Sequence, residues 1–466
     1  MKAVRSIALS YLILLLIFSF LLAFFPEEFL FTENFWSWFF LIIAALLVLL
    51  RSLSGISALS LYSLQFYAFI LFFGGRFIST VLTNIESPFN INFFASYTLN
   101  SSGVTHLMSY VICGMVAMEL GFYLSKPWRK ISFVKNELRT EIDARLLKPM
   151  FMLLVPMVIF VLYGSFLAVQ KYGYLGLYLA QTGEQSGTFK SIVNTITFVF
   201  MGIAIAYGSK KARFFYIAIY LIISLANLLY GVRGGVVTFI LFSLWIYGDF
   251  GKIKINLIKI FFGFVLIAVF LIYGLTGFSF RVEDTQSSSG FIDVFSSFLY
   301  DQGVTLMVFD LSTKTGNYPW IPYFQNIFPG VSFIVGAFSH VVPYETSFSN
   351  YLSYYNNRGS FEDGYGLGWA VFSDFYVYSK GVFPIFAFFA GIWGYLLSKM
   401  EQIARKDLFF RALLASAAPA IIFLPRAGLN TVFPLLFYSF VVLVTLKKIS
   451  QSKLFRRNLE RIEFHH

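Results

Sequence analysis

Three arginines lie where the sequence leaves membrane-length apolar runs, and their chemistry suits an anionic ligand. Arg233 occurs in YGVRGG, Arg426 in FLPRAGL, and Arg281 a few residues after an apolar run. A charged side chain near membrane depth costs about 3 kcal/mol on insertion scales, so it usually has a partner or a task. Because guanidinium forks match phosphate oxygens, three arginines at one surface predict a phosphate-binding site. Snorkelling to headgroups, or pairing with Asp301 or Asp363, is the alternative for each arginine.

Side chains that could transfer a proton occur in the same part of the chain. Asp374 lies in FSDFYVYSKG, an apolar context in which an acid is a functional candidate by default. Asp363 precedes three alternating glycines, and His340 carries an imidazole suited to base chemistry near neutral pH. We rank the candidates for a general base as Asp374, Asp363 and His340, with a purely structural role open for each.

Aromatic side chains are dense between residues 318 and 376. Aromatic rings beside amides and acids are common where sugars bind, but they equally form the aromatic belt of a membrane interface. The sugar-binding hypothesis names Trp320, Tyr323, Tyr344, Tyr365, Tyr376 and Arg358.

The elements that must position these residues are membrane helices. The chain is 58% hydrophobic and only 12% charged, whereas a soluble domain averages about 25% charged residues. A helix needs about 20 apolar residues to cross the hydrocarbon of a bilayer. Suitable runs centre near residues 15, 43, 68, 115, 158, 198, 220, 240, 265, 389, 416 and 438. The sequence therefore predicts an all-α polytopic membrane protein with about 12 transmembrane helices.

The basic residues orient these helices. If the first run enters from the cytoplasm, the inner connections and the tail hold 26 of the 35 lysines and arginines. This is the positive-inside pattern, so the net charge of +12 anchors the cytoplasmic face and does not indicate nucleic acid. The predicted division is helices 1–9 in 1–273, a large outer loop in 274–365, a re-entrant segment and helices 10–12 in 366–448, and a basic cytoplasmic tail in 449–466.

Sequence motifs exclude several enzyme classes. The chain contains no GxxxxGK[ST] loop, no GxSxG elbow, no HExxH motif and no Cys/His cluster with metal-ligand spacing. An ATPase, a serine hydrolase and a zinc enzyme therefore have no support.

The whole layout resembles the Wzy-type O-antigen (oligosaccharide repeat-unit) polymerases of bacterial inner membranes. The resemblance rests on YGVRGG at a helix start, on Arg281, on the large outer loop, and on the stretch from Gly366-x-Gly368 through Asp374-Phe375-Tyr376 to Gly381. The family often has a glutamate where this chain has Asp374. The resemblance extends over essentially the full chain.

This resemblance implies a GT-C-like fold and a metal-independent glycosyl transfer, without a cofactor, at the periplasmic face of the inner membrane. A growing glycan on undecaprenyl pyrophosphate would be the donor and a lipid-linked repeat unit the acceptor. Arg233, Arg281 and Arg426 would hold the pyrophosphate. Membrane lipids and a chain-length regulator protein are the other expected partners. The alternatives are an O-antigen ligase and a lipid-linked oligosaccharide flippase or transporter.

Overall fold

The structure is a computed structural model. It describes residues 2–83, 86–126, 142, 146–172, 186–229, 234–250 and 291–451. Two compact units divide the chain. The first contains Met1–Lys130, Ile240–Lys399 and Ala420–Thr431, and the second contains Ile131–Phe239, Met400–Pro419 and Val432–His466.

Helices dominate the described residues. The first part of the chain forms α1 (Lys2–Phe24), α2 (Glu33–Leu53), α3 (Leu61–Thr83), a hairpin of β1 (Asn90–Phe93) and β2 (Ala95–Thr98), α4 (Ser101–Leu124), α5 (Leu147–Tyr172), α6 (Ser186–Tyr207), α7 (Lys210–Leu229) and α8 (Gly234–Leu244), which continues as a π-helical turn (Trp245–Phe250). The second part forms α9 (Phe291–Gln302), α10 (Thr305–Lys314), α11 (Trp320–Gln325), α12 (Val331–Gly336), α13 (Phe348–Asn356), α14 (Arg358–Glu362), α15 (Val371–Ser379), α16 (Phe383–Ala404), α17 (Leu408–Phe423) and α18 (Phe433–Gln451).

Ten helices in the described residues are long and apolar enough to cross a membrane, namely α1 to α7 and α16 to α18. This confirms an all-α polytopic membrane protein. Of the other two predicted spans, the run near residue 240 is a shorter apolar helix, Gly234–Gly248. The run near residue 265 lies outside the described residues, so the number twelve stays a prediction.

Polar residues mark where several helices begin. Thr32 accepts a hydrogen bond from the Phe35 amide at the start of α2, and Asn100 accepts one from the Gly103 amide at the start of α4. Ser347 and Asn357 do the same for α13 and α14. These caps satisfy amides that the first helical turn leaves without a partner, so they fix where the chain enters each helix.

The long segment after residue 291 packs directly onto the membrane-length helices of the first unit. Helix α9 packs against α3 at Gly75 and at Gly303, which directly follows α9. The two backbones are in contact there, because a Cβ on either glycine would overlap the backbone of the other segment. Farther along, the Ser296 hydroxyl lies 2.7 Å from the hydroxyls of Ser79 and Thr83. The described part of the segment predicted as an outer loop, from residue 291 onward, therefore includes a helix fixed against α3.

This segment also has a hydrophobic core, which the β-hairpin completes. Ile91 of β1 packs with residues of α10, α13 and α15, while Tyr97 of β2 covers the cluster from one side. The hairpin itself pairs Asn90 with Thr98 and turns at Phe94, whose φ is 58°. The buried members of the cluster are Ile91, Met307, Val308, Leu311, Phe348, Leu352, Leu367, Trp369 and Val377.

Helix α15 reaches deep between the membrane-length helices. The Phe372 ring lies 4.8 Å from the Phe69 ring and 5.1 Å from the Phe73 ring of α3. A Cβ on Gly114 of α4 would lie 2.5 Å from the Phe372 ring. Gly114 is 13 residues from the start of α4, which is about 20 Å along the helix axis. The helix ends at Ser379, its C-cap Lys380 has the left-handed conformation, and α16 begins at Phe383.

A buried ion pair ties α2 and α4 together at the other end of α3. Arg51 is 3% exposed and donates from Nε to Glu119 Oε1 at 2.8 Å and from Nη2 to Glu119 Oε2. Tyr62 donates its hydroxyl to the same carboxylate at 3.1 Å. The guanidinium also lies 3.8 Å from the centre of the Phe66 ring.

In the second unit, α17 approaches α6 closely at Gly202. A Cβ there would overlap the Ser416 hydroxyl, which donates to the Ala412 carbonyl at 2.9 Å. Small residues of this kind are the usual means by which membrane helices approach each other.

Candidate functional site

Asp374 is the best-defined polar group in the part of the first unit where the predicted site residues gather. Its carboxylate is fully buried and accepts three hydrogen bonds. Asn326 Nδ2 and Trp369 Nε1 donate to Oδ1 at 2.8 and 2.9 Å, and the Leu429 backbone N–H donates to Oδ2 at 2.6 Å. All three partners are donors, so the arrangement suits the ionised carboxylate.

These bonds join three parts of the chain that lie far apart in sequence. Asp374 belongs to α15, Asn326 caps the C-terminal end of α11, and Leu429 lies in the turn that follows α17. The turn fits tightly: a Cβ on Gly428 would lie 2.9 Å from the Trp369 ring and 3.2 Å from Asp374 Oδ2. Asp374 therefore fixes the turn at residues 427–431.

Burial raises the pKa of Asp374 to about 7, although the bonds from Leu429, Trp369 and Asn326 each lower it. Desolvation penalises the charged form and the donors favour it. The two effects place the titration of this carboxyl close to neutral pH.

Arg426 lies immediately before this turn, in a short 3-10 helix, Leu424–Arg426. Pro425 in that helix fixes its own φ and shapes the end of α17. The side chain is partly exposed, and Nη1 donates to Gln302 Oε1 at 2.9 Å. The guanidinium carbon lies 5.7 Å from the centre of the Phe72 ring of α3. Arg426 is thus held between α9 and α3, beside the turn that Asp374 fixes.

The other two predicted arginines, Arg233 and Arg281, lie outside the described residues, so the convergence of three arginines stays a prediction.

The three candidates for a general base have different surroundings. Asp374 is fully buried and both its oxygens accept hydrogen bonds. Asp363 is exposed and caps the C-terminal end of α14, and His340 is exposed in the connection after α12. Only Asp363 and His340 therefore present their side chains to solvent.

The predicted sugar-binding residues divide into two groups. Tyr344 stacks on Tyr354 with ring centres 3.8 Å apart and an interplanar angle of 6°, and Arg358 lies 5.5 Å from the Tyr354 ring while it pairs with Glu362. Tyr365 is 49% exposed and Trp320 56% exposed. In contrast, the other two tyrosines pack inward: Tyr323 against Phe348 and Tyr378, and Tyr376 against Tyr110 and Phe309.

Sequence reasoning missed a second buried carboxylate group. Asp310 of α10, which is not among the predicted site residues, is 4% exposed. It accepts hydrogen bonds from the Tyr97 hydroxyl at 2.5 Å and from Lys314 Nζ at 2.7 Å. This contact depends on the hairpin, and the alternation of Asn90, Ile91, Asn92 and Phe93 is the signal that could have revealed it.

Within the described ranges, His, Cys, Asp and Glu side chains form no group of three or more that could hold a metal ion.

Fold and site together define a multi-pass α-helical membrane protein in which segments that join membrane-length helices pack around a buried carboxylate, beside an arginine. The chain belongs to the O-antigen polysaccharide polymerase Wzy family, whose model matches residues 6–454. The protein is therefore a glycosyltransferase-type polymerase that works on lipid-linked oligosaccharide repeat units. No curated protein and no solved structure matches the chain.

Proposed function

We propose that this protein transfers a growing glycan from undecaprenyl pyrophosphate onto a lipid-linked repeat unit, at the periplasmic face of the bacterial inner membrane. The observation that carries this proposal is Arg426, partly exposed at the end of a membrane-length helix and held by Gln302 and Phe72. A lipid-linked pyrophosphate lies at the membrane surface, so a guanidinium fixed beside a helix end can meet it while the lipid tail stays in the bilayer.

Arg426 would bind the pyrophosphate and stabilise the negative charge that develops on it as the glycosidic bond breaks. Guanidinium–phosphate hydrogen bonds are charge-assisted and often bidentate. A group already held in place for that charge lowers the barrier without reorganising during the reaction. Arg233 and Arg281 remain its proposed partners in this task.

Asp374 has a different task from the one its sequence suggests. A general base must reach the proton that it removes, but both oxygens of Asp374 accept bonds from the protein inside a fully buried site. We assign it the role of a positioning residue, which holds the turn that follows Arg426. Asp363 and His340, both exposed, are the proposed candidates for the base that activates the acceptor hydroxyl.

Among the predicted sugar-binding residues, Tyr344 and Arg358 have the geometry that best suits a glycan, because Tyr344 stacks on Tyr354 and Arg358 lies beside that ring. Exposed aromatic faces pack on the C–H faces of sugar rings, and a neighbouring guanidinium donates to hydroxyls. Trp320 and Tyr365, both exposed, would extend this surface.

We propose that the transfer needs no metal ion, because the arginines supply the positive charge, and that the helical scaffold is of the GT-C type. Retention of activity in EDTA is the expected result. Activity that disappears with EDTA and returns with a divalent ion would contradict this part of the proposal. A chain-length regulator protein stays a predicted partner.

The deciding experiment uses purified protein in proteoliposomes with lipid-linked repeat units as the only substrate. A ladder of lipid-linked glycans is the expected product. Addition of lipid A core distinguishes a ligase from a polymerase. A ligase would transfer the glycan onto the core without lengthening the glycan. Unaltered substrate that crosses the bilayer would instead indicate a flippase. Either of these results, without a ladder, contradicts the proposal.

A further inference from the structure

We infer that residues 324–338, here called the apolar arm, insert into the lipid leaflet beside the site. The arm comprises the end of α11, a Pro329–Gly330 turn and α12. It exposes large apolar side chains that are unusual for a segment joining soluble elements. These are Phe324 (53%), Ile327 (41%), Phe328 (57%), Phe333 (83%), Ile334 (60%) and Phe338 (88%).

Charge is missing from this part of the sequence. Residues 315–344 contain no lysine, arginine, aspartate or glutamate, although Lys314 and Glu345 flank the stretch on either side. A loop in water normally carries charged and polar residues, and a large exposed apolar patch marks an interaction site. In addition, α12 has no buried residue. A short, largely apolar helix that exposes Phe333 and Ile334 and buries none of its residues requires an apolar surrounding, and a bilayer supplies one.

The arm has a defined conformation. Gly330 has a φ of 93°, in the left-handed region that favours glycine, and this allows the turn between the two helices. The Ser332 amide donates to Gln325 Oε1 at 2.9 Å, which ties the start of α12 to the end of α11. The exposed rings are therefore presented by a short helical hairpin.

Anchors on α15 place the arm at membrane depth. The Tyr378 hydroxyl donates to the Tyr323 carbonyl at 2.7 Å, and Asn326 donates to Asp374 at 2.8 Å. Helix α15 lies beside residues 110–114 of the membrane-length helix α4, because the Tyr110 hydroxyl donates to the Gly381 carbonyl and Phe372 contacts Gly114. That level is about 14–20 Å along α4 from its start at Ser101.

The exposed surface of α16 continues this apolar surface. The Tyr378 ring, which anchors the arm, lies 6.4 Å from the Phe389 ring in the second turn of α16. Around it, Val382, Ile385 and Phe388 are 47%, 43% and 62% exposed, as expected for side chains that face lipid. The arm thus adjoins a surface that the bilayer already covers, so lipid is its occupant. The inference does not depend on the reaction that the protein catalyses.

Spin-label accessibility tests the inference. The full-length protein, with Cys113→Ala to remove its single cysteine, would carry a nitroxide at Phe333→Cys or Phe338→Cys in nanodiscs of phosphatidylethanolamine and phosphatidylglycerol. Tyr355→Cys is the matched control, since Tyr355 is an exposed aromatic residue (60%) of α13 outside the uncharged stretch. Oxygen concentrates in hydrocarbon and a nickel chelate stays in water.

We expect an oxygen-to-nickel accessibility ratio at 333 and 338 about ten-fold above that at 355. A ratio equal to that at 355 would place the arm in water and overturn the inference. Poor access of both reagents to 333 and 338 would overturn it as well, because a protein partner or a second copy would then cover the arm. Circular dichroism and unfolding temperature of each labelled variant verify that it is folded.

Discussion

Two arginines contact the same membrane helix, α3, in opposite ways. Arg51 lies over Phe66, is 3% exposed and binds both oxygens of Glu119. Arg426 lies over Phe72, is partly exposed and donates to the neutral amide of Gln302. The two rings are six residues apart on α3, which corresponds to about 9 Å along the axis.

The difference in burial separates an arginine with a structural role from the one that we propose binds pyrophosphate. No ligand can reach the guanidinium of Arg51 inside its enclosed ion pair, so its contribution is to the fold. Arg426 is partly exposed and lies beside a turn that a buried carboxylate holds. The predictions below test this distinction in order of decreasing effect.

The largest effect should follow Glu119→Ala. Removal of one partner leaves the buried Arg51 charge uncompensated, which typically costs 3–5 kcal/mol. We expect an unfolding midpoint in detergent well below that of the wild type, with loss of membrane-inserted protein. A matched double variant, Arg51→Met with Glu119→Met, should regain most of the stability. A single variant as stable as the wild type would show that the pair is not structural.

Arg426→Ala should abolish chain growth while the fold stays intact. Loss of a charge-assisted contact to a transition state typically costs about 3 kcal/mol, or roughly a hundred-fold in rate. Ladder length in cells, with protein level and unfolding temperature as controls, measures this. Arg426→Lys should retain part of the activity, because the charge stays but the fork is lost. A full ladder from the alanine variant at normal protein level would show that Arg426 does not bind the pyrophosphate.

Asp374→Asn should weaken the turn next to Arg426. The new amide must place its NH₂ against one of the three donors, and the loss and mismatch of a buried hydrogen bond cost about 1–3 kcal/mol. We expect activity to fall several-fold more than the loss of stability explains. Asn326→Asp should reduce activity further, because it places a second carboxyl beside Asp374. If the loss of stability accounts for the whole loss of activity, Asp374 contributes to the fold only.

Activity and stability should respond to pH in opposite directions through Asp374. Its folded pKa of about 7 is above the ordinary value of 3.8, so its contribution to stability is present below about pH 4 and declines as pH rises to about 7. The turn needs the ionised form, so activity should rise over pH 6–8. The ionisable neighbours are Tyr318 and Tyr378. A pH profile that is unchanged in Asp374→Asn would refute this link.

The smallest effect should come from Gln302→Ala. It removes one hydrogen bond to a side chain that is partly exposed, which is worth about 1 kcal/mol. We expect a few-fold loss of polymerisation rate in proteoliposomes and an unchanged unfolding temperature. Gln302→Glu, which neutralises the guanidinium, should reduce the rate more. A smaller loss of rate in Gln302→Glu than in Gln302→Ala would show that Gln302 does not orient Arg426.

Local patterns in the sequence were enough to mark Asp374 as a candidate functional residue, because an isolated acid in an apolar run is conspicuous. They also located Arg426 at a helix end. The partners of Asp374 were beyond reach: Asn326 and Leu429 lie 48 and 55 residues away, and periodicity reports only which face is apolar. For the same reason, local patterns did not reveal the ion pair between Arg51 and Glu119.

The described part of the predicted outer loop contains helices that share a hydrophobic core with the β-hairpin. Helix α15 belongs to the segment predicted as re-entrant, and it packs beside α3 and α4. Local sequence predicted aromatic density there, yet the packing requires the hairpin between α3 and α4, which supplies Ile91 and Tyr97. Contacts between distant segments of this kind are set by tertiary structure, which the local pattern does not encode.

Binding of undecaprenyl pyrophosphate to the purified protein tests the central claim most directly. The wild type and Arg426→Ala would be compared in nanodiscs, with a variant of an exposed lysine outside the proposed site, Lys211→Ala, as the control for loss of one positive charge. We predict that Arg426→Ala binds about ten- to a hundred-fold more weakly, the range for one charge-assisted contact, and that the control variant binds as the wild type does. Equal affinity of Arg426→Ala and the wild type would contradict the account.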